Sequence, residues 1–363
     1  MKEKIPHIDL GKWPTPLERL PGISQEPLLL VKRDDLSHPL YGGNKVRKLE
    51  LILADVLRKG FPEVITSGGL GSHHILAVAA LGREVGLRTT GLFFCQPVNE
   101  HVLKNLLLEV EYGTEMHFVR DYIGVALNYL RYYLGRRFNP RRKTYLLMPG
   151  GSSALSSLGY VGAVLELQQQ LKDEGLPDPD AIFVAAGTGG TAAGILAGIA
   201  LAGMETVLHA VRVVPPSLLG RKKIVSLARK SLKLLSRRGA DIGKAVSRLD
   251  ELLYLVEDYL GEGYGFGTAA AGEAIDRFQD IAGIKLEGCY TGKAAAACLD
   301  YCAGKGGDSG PVVFIHTASS THQECDPAEM DPKLPPDFKW CFTGSPCGHR
   351  CTLTCHRDRH FGR

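Results

Sequence analysis

The residues with the clearest chemical potential lie early in the chain, in the run Gly42-Gly43-Asn44-Lys45-Val46-Arg47-Lys48-Leu49-Glu50. Two glycines permit a tight turn, and Asn44 is suited to cap a following helix, which places Lys45 in its first turn. Because the helix dipole disfavours positive charge at an N-terminus, a lysine there calls for a reason. One reason is that its amine forms an imine with an aldehyde. The alternative is a solvated surface lysine beside Lys48, and this run leaves both open.

A second candidate site follows an apolar run, Ala181–Ala186, that predicts a buried strand. The next residues are Gly187-Thr188-Gly189-Gly190-Thr191, and a helix of small residues is predicted from Ala192 to Ala202. A strand, a glycine loop and a helix in this order let backbone N–H groups close on a phosphate, and the two threonines add hydroxyl donors. Neither the Gly-Lys-Ser/Thr pattern of a nucleotide loop nor dinucleotide spacing is present. The pattern favours a small phosphate held without a metal, and the alternative is a tight turn with no ligand.

The elements that must position these residues alternate between strand-like and helix-like segments, which predicts an α/β protein with a mainly parallel sheet. After Lys45, a helix is expected to bury Val46, Leu49, Leu53, Val56 and Leu57. A second helix is predicted over His74–Glu84. Strands are predicted at Glu63–Thr66, Thr89–Phe94, Met116–Val119, Tyr145–Met148, Ala181–Ala185, Val207–Val214, Leu252–Val256 and Val312–His316.

Composition limits the function classes. The chain has 363 residues and a net charge of +4, which allows two domains and argues against nucleic acid or a membrane surface as partner. The basic stretch Arg221–Arg238 has apolar residues at helical spacing, so it predicts a helix with a wet basic face. No run is long enough to span a membrane, and the N-terminus lacks the apolar core of a signal peptide, so we expect a cytoplasmic protein.

Taken together, the motifs resemble the fold type II pyridoxal-phosphate enzymes, and within them the D-cysteine desulfhydrase and 1-aminocyclopropane-1-carboxylate deaminase family. The resemblance runs from Trp13-Pro14-Thr15-Pro16-Leu17 through Lys32-Arg33-Asp34-Asp35-Leu36 and the lysine run to about Thr317. It implies a tryptophan synthase β-like fold with two domains, each a mainly parallel sheet flanked by helices. It further implies a homodimer and a small amino-acid substrate. The expected boundaries are 1–52 with 158–325 for the large cofactor domain and 53–157 for the small domain.

The resemblance also assigns residues. It implies that Lys45 is the Schiff-base lysine, that Asn44 adjoins the cofactor, and that Gly187 to Thr191 hold its phosphate. Ser72 would contact the substrate carboxylate or move protons, and His73 stands where the family has an asparagine beside the cofactor ring. Tyr264 and Tyr290 would lie on the substrate side of the cofactor. The family usually has glycines after the His316-Thr317 pair, where this chain has Ala318-Ser319-Ser320.

Thr291 bears on the reaction. In the family the deaminase has a glutamate at this position, where it meets the pyridine nitrogen, whereas desulfhydrases have threonine. A carboxylate would keep that nitrogen protonated, and a neutral hydroxyl would not. The resemblance therefore implies β-elimination from a D-cysteine-like amino acid to a 2-oxo acid and ammonia, with Lys45 as the base. Alternatives are a ring-opening deaminase, an amino-acid racemase and a sensor that binds the cofactor or an amino acid without turnover.

The nine cysteines fall into two groups. Cys95, Cys289, Cys298 and Cys302 lie in apolar or helical contexts typical of reduced cysteines. The rest lie toward the C-terminus, where residues 326–363 are predicted to form a proline-rich linker and a Cys/His-rich tail. A zinc site is predicted there, since thiolates and imidazoles at this spacing suit tetrahedral zinc. Its candidate ligands are Cys347, His349, Cys351, Cys355 and His360, and the alternative is an incidental extension.

Overall fold

The computed structural model describes residues 5–23, 27–96, 98–138, 143–305, 309–320 and 333–343. The chain divides into two compact units. The first, unit 1, comprises Met1–Ile52 and Ser152–Thr321. The second, unit 2, comprises Leu53–Gly151 and the residues from His322 onward.

Unit 1 contains a six-stranded sheet in the order β1-β2-β10-β7-β8-β9, in which only the edge strand β1 is antiparallel to its neighbour. Its strands are β1 Leu17–Arg19, β2 Leu29–Lys32, β7 Ala181–Ala186, β8 Val207–Arg212, β9 Leu253–Val256 and β10 Val312–Ile315. The helices assigned wholly to it are α5 Ala154–Asp173, α6 Gly190–Ala202, α7 Arg221–Arg237, α8 Ala245–Arg248, α9 Ala269–Ala282 and α10 Thr291–Ala303. Helix α1, Asn44–Arg58, begins in unit 1 and ends in unit 2.

The core of unit 1 depends on close contact between α5 and α6. A Cβ on Gly194 would lie 2.2 Å from the carbonyl oxygen of Ser157, and one on Gly198 would lie 2.7 Å from Cβ of Val164. Any larger residue at these two positions would push the helices apart. The small-residue composition of α6 therefore serves its packing against α5.

Unit 2 contains a four-stranded, all-parallel sheet in the order β5-β4-β3-β6. Its strands are β3 Glu63–Gly69, β4 Arg88–Phe94, β5 Glu115–Phe118 and β6 Thr144–Leu146. Its helices are α2 His73–Glu84, α3 Glu100–Glu111, α4 Tyr122–Phe138 and the short α11 Trp340–Thr343. No helix of the described ranges is long and apolar enough to cross a membrane.

The eight predicted strands are all present within a few residues of their predicted bounds, because each is a short apolar run between turn signals. Strands β1 and β2 were not predicted. One predicted core residue of α1 is wrong, since Leu57 is 40% exposed whereas Val46, Leu49, Leu53 and Val56 are buried. Helix α7 has the expected amphipathic character, with Ile224 and Leu232 buried.

Two expectations about the cysteines and the C-terminal segment need correction. Cys95 is disulfide-bonded rather than reduced, whereas Cys289, Cys298 and Cys302 carry reduced thiols, as expected. Part of the segment predicted as a linker packs into unit 2. Leu334, Phe338 and Cys341 are buried in one apolar cluster with side chains of α2, α3 and β4.

Candidate active site

The lysine run is held between the carboxyl ends of two neighbouring parallel strands, β2 and β10. The N–H of Gly43 donates to the carbonyl of Asp34 just after β2, at 2.8 Å. The N–H of Asn44 donates to the carbonyl of Thr317 just after β10, at 3.0 Å. Gly43 has φ +91°, and a Cβ on Gly42 would lie 1.9 Å from a backbone oxygen of Asp35. The two glycines are therefore required for the turn, and α1 starts at the strand edge where α/β folds bind ligands.

Two serines that follow Thr317 and Ala318 support this turn. Oγ of Ser319 accepts the N–H of Gly42 at 3.0 Å, and the hydroxyl of Ser320 donates to Asp35 at 2.6 Å. The two serines thus connect the segment after β10 to the turn and to Asp35, next to the loop that carries Lys45.

Lys45 is connected to the glycine loop through Asn44. Its Nζ donates to Oδ1 of Asn44 at 2.8 Å, and Nδ2 of Asn44 donates to the hydroxyl of Thr191 at 2.9 Å. The side chain of Asn44 therefore links two motifs instead of serving as the expected helix cap. Burial lowers the pKa of Lys45 to about 8, although the carboxylate of Glu287 opposes this shift. An amine with such a pKa is available as a base or nucleophile near neutral pH.

Lys48, three residues further along α1, is also buried, with only 3% of its surface exposed. Burial, with the charge of Lys45 nearby, lowers its pKa well below the ordinary value. Its Nζ lies 3.5 Å from Oγ of Ser152. The same Oγ lies 2.6 Å from the hydroxyl of Thr188 and accepts the N–H of Gly190 at 3.1 Å. Two hydroxyls, one backbone N–H and one buried amine thus converge on the start of α6.

The glycine loop itself is shaped by close neighbours. Gly189 has φ +90°, a left-handed conformation that favours glycine. A Cβ on Gly190 would lie 2.5 Å from Oγ of Ser152 and 3.1 Å from Nζ of Lys48. Since only a residue without a side chain leaves this space open, the loop forms a cradle of donors at a helix N-terminus.

The predicted tyrosines are brought together beside this loop. The hydroxyl of Tyr290 donates to that of Tyr264 at 2.9 Å, and the rings make an edge contact with centroids 6.0 Å apart. A Cβ on Gly187 would lie 3.2 Å from the ring of Tyr290. Burial, with Tyr264 nearby, raises the pKa of Tyr290 well above its ordinary value. The hydroxyl of Tyr290 is therefore a neutral hydrogen-bonding group at neutral pH.

Thr291 begins α10 and is fully buried. Its hydroxyl donates to the carboxylate of Glu287 at 3.1 Å and accepts the N–H of Glu287 at 2.9 Å. The same carboxylate accepts the N–H groups of Cys289, Tyr290 and Thr291. Glu287 therefore fixes both the backbone turn and the orientation of the Thr291 hydroxyl.

The remaining predicted residues lie in unit 2, at the start of α2. Ser72 is the N-cap of this helix, and its hydroxyl oxygen accepts the N–H of Ile75 at 3.3 Å. Nε2 of His73 lies 2.8 Å from Nε2 of His101 on α3. The amide of Asn105 lies 3.3 Å from the same nitrogen of His101 and donates to the carbonyl of Gly71 at 3.0 Å. These bonds tie the first turns of α2 and α3 to each other.

Comparison with known proteins decides the family. Residues 8–318 match the family described as pyridoxal-phosphate dependent enzyme. The chain is 33% identical over 326 residues to D-cysteine desulfhydrase of Salmonella paratyphi A, covering 87% of this chain and 95% of that protein. This chain belongs to the pyridoxal-phosphate-dependent enzyme family. The relative of the same name from Salmonella typhi shows the same identity and coverage.

Solved structures agree with the predicted fold class, which is confirmed. An ACC deaminase homologue aligns with a TM-score of 0.75 at 29% identity, covering 91% of this chain and 97% of that one. A fungal L-serine ammonia-lyase from Rhizomucor miehei aligns with a TM-score of 0.58 at 20% identity, covering 89% of this chain and 98% of that one. The latter likeness concerns the fold alone. The predicted enzyme class, pyridoxal-phosphate-dependent lyases and deaminases, is likewise confirmed.

The residues of unit 1 fit pyridoxal phosphate. The cradle at Gly189 and Gly190 offers donors for a phosphate, and a lysine with a pKa of about 8 is hydrogen-bonded through Asn44 to the same loop. Three residues that support this arrangement were not predicted: Lys48, Ser152 and Glu287. The first two carried no sequence signal, because the contact between Lys48 and Ser152 spans 104 residues of chain and that between Ser152 and Thr188 spans 36. Glu287, four residues before Thr291, could have been recognised as a capping carboxylate.

The predicted zinc ligands, Cys347, His349, Cys351, Cys355 and His360, lie outside the described residues. Within the described ranges, no group of three or more His, Cys, Asp or Glu side chains could hold a metal ion. The zinc site stays a prediction.

Proposed function

We propose that the protein catalyses β-elimination and deamination of a small, D-cysteine-like amino acid, with Lys45 as the residue that binds the cofactor aldehyde and then serves as base. The observation that carries the proposal is the hydrogen-bonded chain from Lys45 through Asn44 to Thr191, together with the lowered pKa of the lysine. Pyridoxal phosphate, when bound, supplies the electron sink for the carbanion formed at Cα.

The chain's own residues would then have separate tasks. Lys45, neutral in a large fraction near pH 8, removes the Cα proton, and Asn44 holds its Nζ toward the glycine loop. The loop from Gly187 to Thr191, with Lys48 and Ser152, holds the phosphate. Tyr290 donates or accepts protons with Tyr264 beside it.

Two residues at the start of α2, in unit 2, have proposed roles of their own. Ser72, at the N-terminus of α2, is suited to the substrate carboxylate because N–H groups and the helix dipole favour an anion there. His73 takes the place of the family's asparagine beside the cofactor ring. His101 holds its imidazole through the 2.8 Å contact.

Thr291 is the residue that favours elimination over ring opening. The first turn of α10 presents a neutral hydroxyl, and the carboxylate of Glu287 bonded to it also accepts three backbone N–H groups. An unprotonated pyridine nitrogen suffices where a leaving group takes the electrons. The curated relatives named D-cysteine desulfhydrase are consistent with this reaction.

The test compares two substrates on the pyridoxal-phosphate-loaded enzyme. We expect D-cysteine or a β-chloro amino acid to yield pyruvate faster than 1-aminocyclopropane-1-carboxylate yields 2-oxobutyrate. The control variant Thr291→Ser, which keeps the hydroxyl, should preserve the ratio of the two rates. A faster reaction of the cyclopropane would refute elimination as the main activity. Turnover of neither compound, with loss of optical activity from an amino acid, would instead indicate a racemase.

A cytoplasmic location and a homodimer, both implied by the family resemblance, complete the proposal. Neither nucleic acid nor a membrane is proposed as partner, since the net charge of +4 is small for 363 residues. Sedimentation of the purified enzyme would test the homodimer.

A further inference from the structure

The segment between β9 and α9 carries Tyr264 and is rich in glycine. Residues 259–267, which we call the tyrosine loop, have glycine at every second position from 261 onward. Positive φ angles, which favour glycine, occur at Gly261 (+68°), Gly263 (+153°) and Gly265 (+92°). A glycine-rich backbone loses more conformational entropy on ordering than other sequences do. The tyrosine loop therefore needs contacts with other segments to hold Tyr264 in one place.

Side chains at the start of α10 supply three such contacts. They join Lys293 to Leu260, Tyr290 to Tyr264 and Cys289 to Gly265. The first is a hydrogen bond of 2.7 Å from Nζ to the backbone carbonyl, and the second joins two hydroxyls at 2.9 Å. The third joins the backbone of Gly265 to the thiol. Because the partners follow each other in opposite directions along the chain, the tyrosine loop lies antiparallel to the first turn of α10.

Lys293 is an unfavourable residue for its position unless its amine has a task. It is fully buried, and it is the third residue of α10, where the helix dipole disfavours positive charge. Burial lowers its pKa, although the charges of Cys289 and Glu287 oppose this shift. A methionine would occupy a similar volume without the cost of burying an amine. The compensating gain comes from the carbonyl of Leu260, which the amine holds.

A fourth contact between the tyrosine loop and α10 is less suited to this task. The hydroxyl of Tyr259 donates to the carboxylate of Asp300 at 2.5 Å, but this bond is exposed, and water competes for both groups. We propose that Lys293 is a positioning residue for the reaction, because its amine fixes the tyrosine loop and so keeps Tyr264 against Tyr290. The inference rests on the proposed function for the place of these two tyrosines on the substrate side of the cofactor.

The first test follows the position of Tyr264 without any reaction. Tyr264 is replaced by 3-fluorotyrosine in the full chain with cofactor, and its fluorine resonance is recorded by NMR. In Lys293→Met we expect this resonance to move toward that of the urea-unfolded protein, because the tyrosine loop has lost its buried bond to α10. Lys285→Met, at an exposed position shortly before α10, is the matched control and should leave the resonance unchanged. An unchanged resonance in folded Lys293→Met would overturn the proposal.

The second test asks whether Lys293 acts through Tyr264. Lys293→Met should lower kcat/KM for D-cysteine by about tenfold, the loss expected when a buried carbonyl loses its hydrogen bond. The loss should appear mainly in KM, since the change displaces a wall of the pocket and leaves Lys45 in place. In a Tyr264→Phe background the same substitution should cost less than about twofold, because residues that act through one contact are not additive. A full tenfold loss in both backgrounds would show that Lys293 does not act through Tyr264.

A second variant keeps the proposal testable if Lys293→Met does not fold. Lys293→Gln retains N–H donors, so in both measurements it should lie between wild type and the loss of the contact. A folded Lys293→Gln with the wild-type resonance, and with equal losses in the two Tyr264 backgrounds, would overturn the proposal. If D-cysteine is not turned over, the proposed function fails, whereas the fluorine resonance still decides whether Lys293 positions Tyr264.

Discussion

Helix α1 contributes to two groups of buried charged side chains. The first group surrounds Arg47 and the second contains Lys45 and Lys48, and they differ in how their charges are balanced. Arg47 donates two bonds of 2.9 Å to Asp34 and bonds of 3.0 and 2.9 Å to Glu166. Lys32 donates to the same glutamate, which gives two cations and two carboxylates. Lys45 and Lys48 instead lie beside hydroxyls, an amide and backbone N–H groups at the glycine loop.

The difference in charge balance affects the pKa values of the side chains in each group. Although burial opposes the shifts, Arg47 holds the pKa values of Asp34 and Glu166 below their ordinary values. Burial lowers the pKa of both lysines at the loop, which disfavours their charged forms. Burial also lowers the pKa of Lys32, but there the charge of Glu166 opposes the shift. A balanced buried cluster stabilises one fold, whereas buried cations placed among donors are suited to an anion and to proton transfer. The comparison assigns structure to the first group and function to the second.

Removing the amine of Lys45 should have the largest effect. Lys45→Ala should lose the borohydride-reducible link to the cofactor, and turnover should fall at least about 10²–10⁴-fold, the range of a general base. The variant should still fold, since the side chain lies at the first turn of α1. Lys222→Ala, at an exposed position of α7, is the control for lysine removal. Wild-type absorbance and turnover in Lys45→Ala would disprove the assignment.

Removing Arg47 from the group that it forms with Lys32, Asp34 and Glu166 should lower stability, whereas removing Lys45 lowers turnover. Arg47→Met leaves Asp34 and Glu166 buried without their main cation, so the free energy of unfolding should fall by about 3–5 kcal/mol. Urea denaturation of the cofactor-free protein measures this. Arg19→Met, which removes an exposed ion pair with Glu174, should cost less than about 1 kcal/mol. Equal losses of unfolding free energy in the two variants would show that burial of the group does not increase its contribution to stability.

Lys48 and Lys32 provide the most direct comparison between the groups, since both are buried lysines. Lys48→Met should weaken binding of pyridoxal phosphate by about tenfold to a hundredfold, the loss of one hydrogen bond to a charged group. It should leave the stability of the cofactor-free protein unchanged or higher, because a buried cation is removed. Lys32→Met should instead leave binding of pyridoxal phosphate unchanged and lower the stability of the cofactor-free protein. Fluorescence titration measures cofactor binding and urea denaturation measures stability. If the two variants changed both quantities alike, the two groups would not differ in function.

The smallest expected effect concerns Glu287, whose charge raises the pKa of Lys45 against the effect of burial. Glu287→Gln removes that charge, so the pKa of Lys45 should fall further below about 8. In cofactor-free protein, the pH midpoint for acylation of Lys45, followed by mass spectrometry, should move to lower pH. Glu262→Gln, at an exposed position, should leave the midpoint unchanged. A midpoint that rises in Glu287→Gln would show that the charge of Glu287 does not raise the pKa of Lys45.

The sequence by itself determined the parallel α/β class, the eight strands and the two loops of the candidate site. These features are local: apolar runs such as Ala181–Ala186 lie between turn signals, and glycines mark the turns at Gly43 and Gly189. The family motifs that span the lysine run also depend on adjacent residues. Strands β1 and β2 escaped prediction because they are short, and β1 pairs only at the edge of the sheet.

Only the tertiary structure decided which charged residues are buried and what they meet. Arg47 and Lys48 are adjacent in α1, yet the first binds Asp34 and Glu166 while the second reaches Ser152 at the glycine loop. The lowered pKa of Lys45 has the same origin, since burial is a property of the whole packed unit. Likewise, the packed and exposed faces of α4 are both apolar in sequence, and only the position of the sheet distinguishes them. Contacts between distant segments set burial, and burial sets the free energy of each charge.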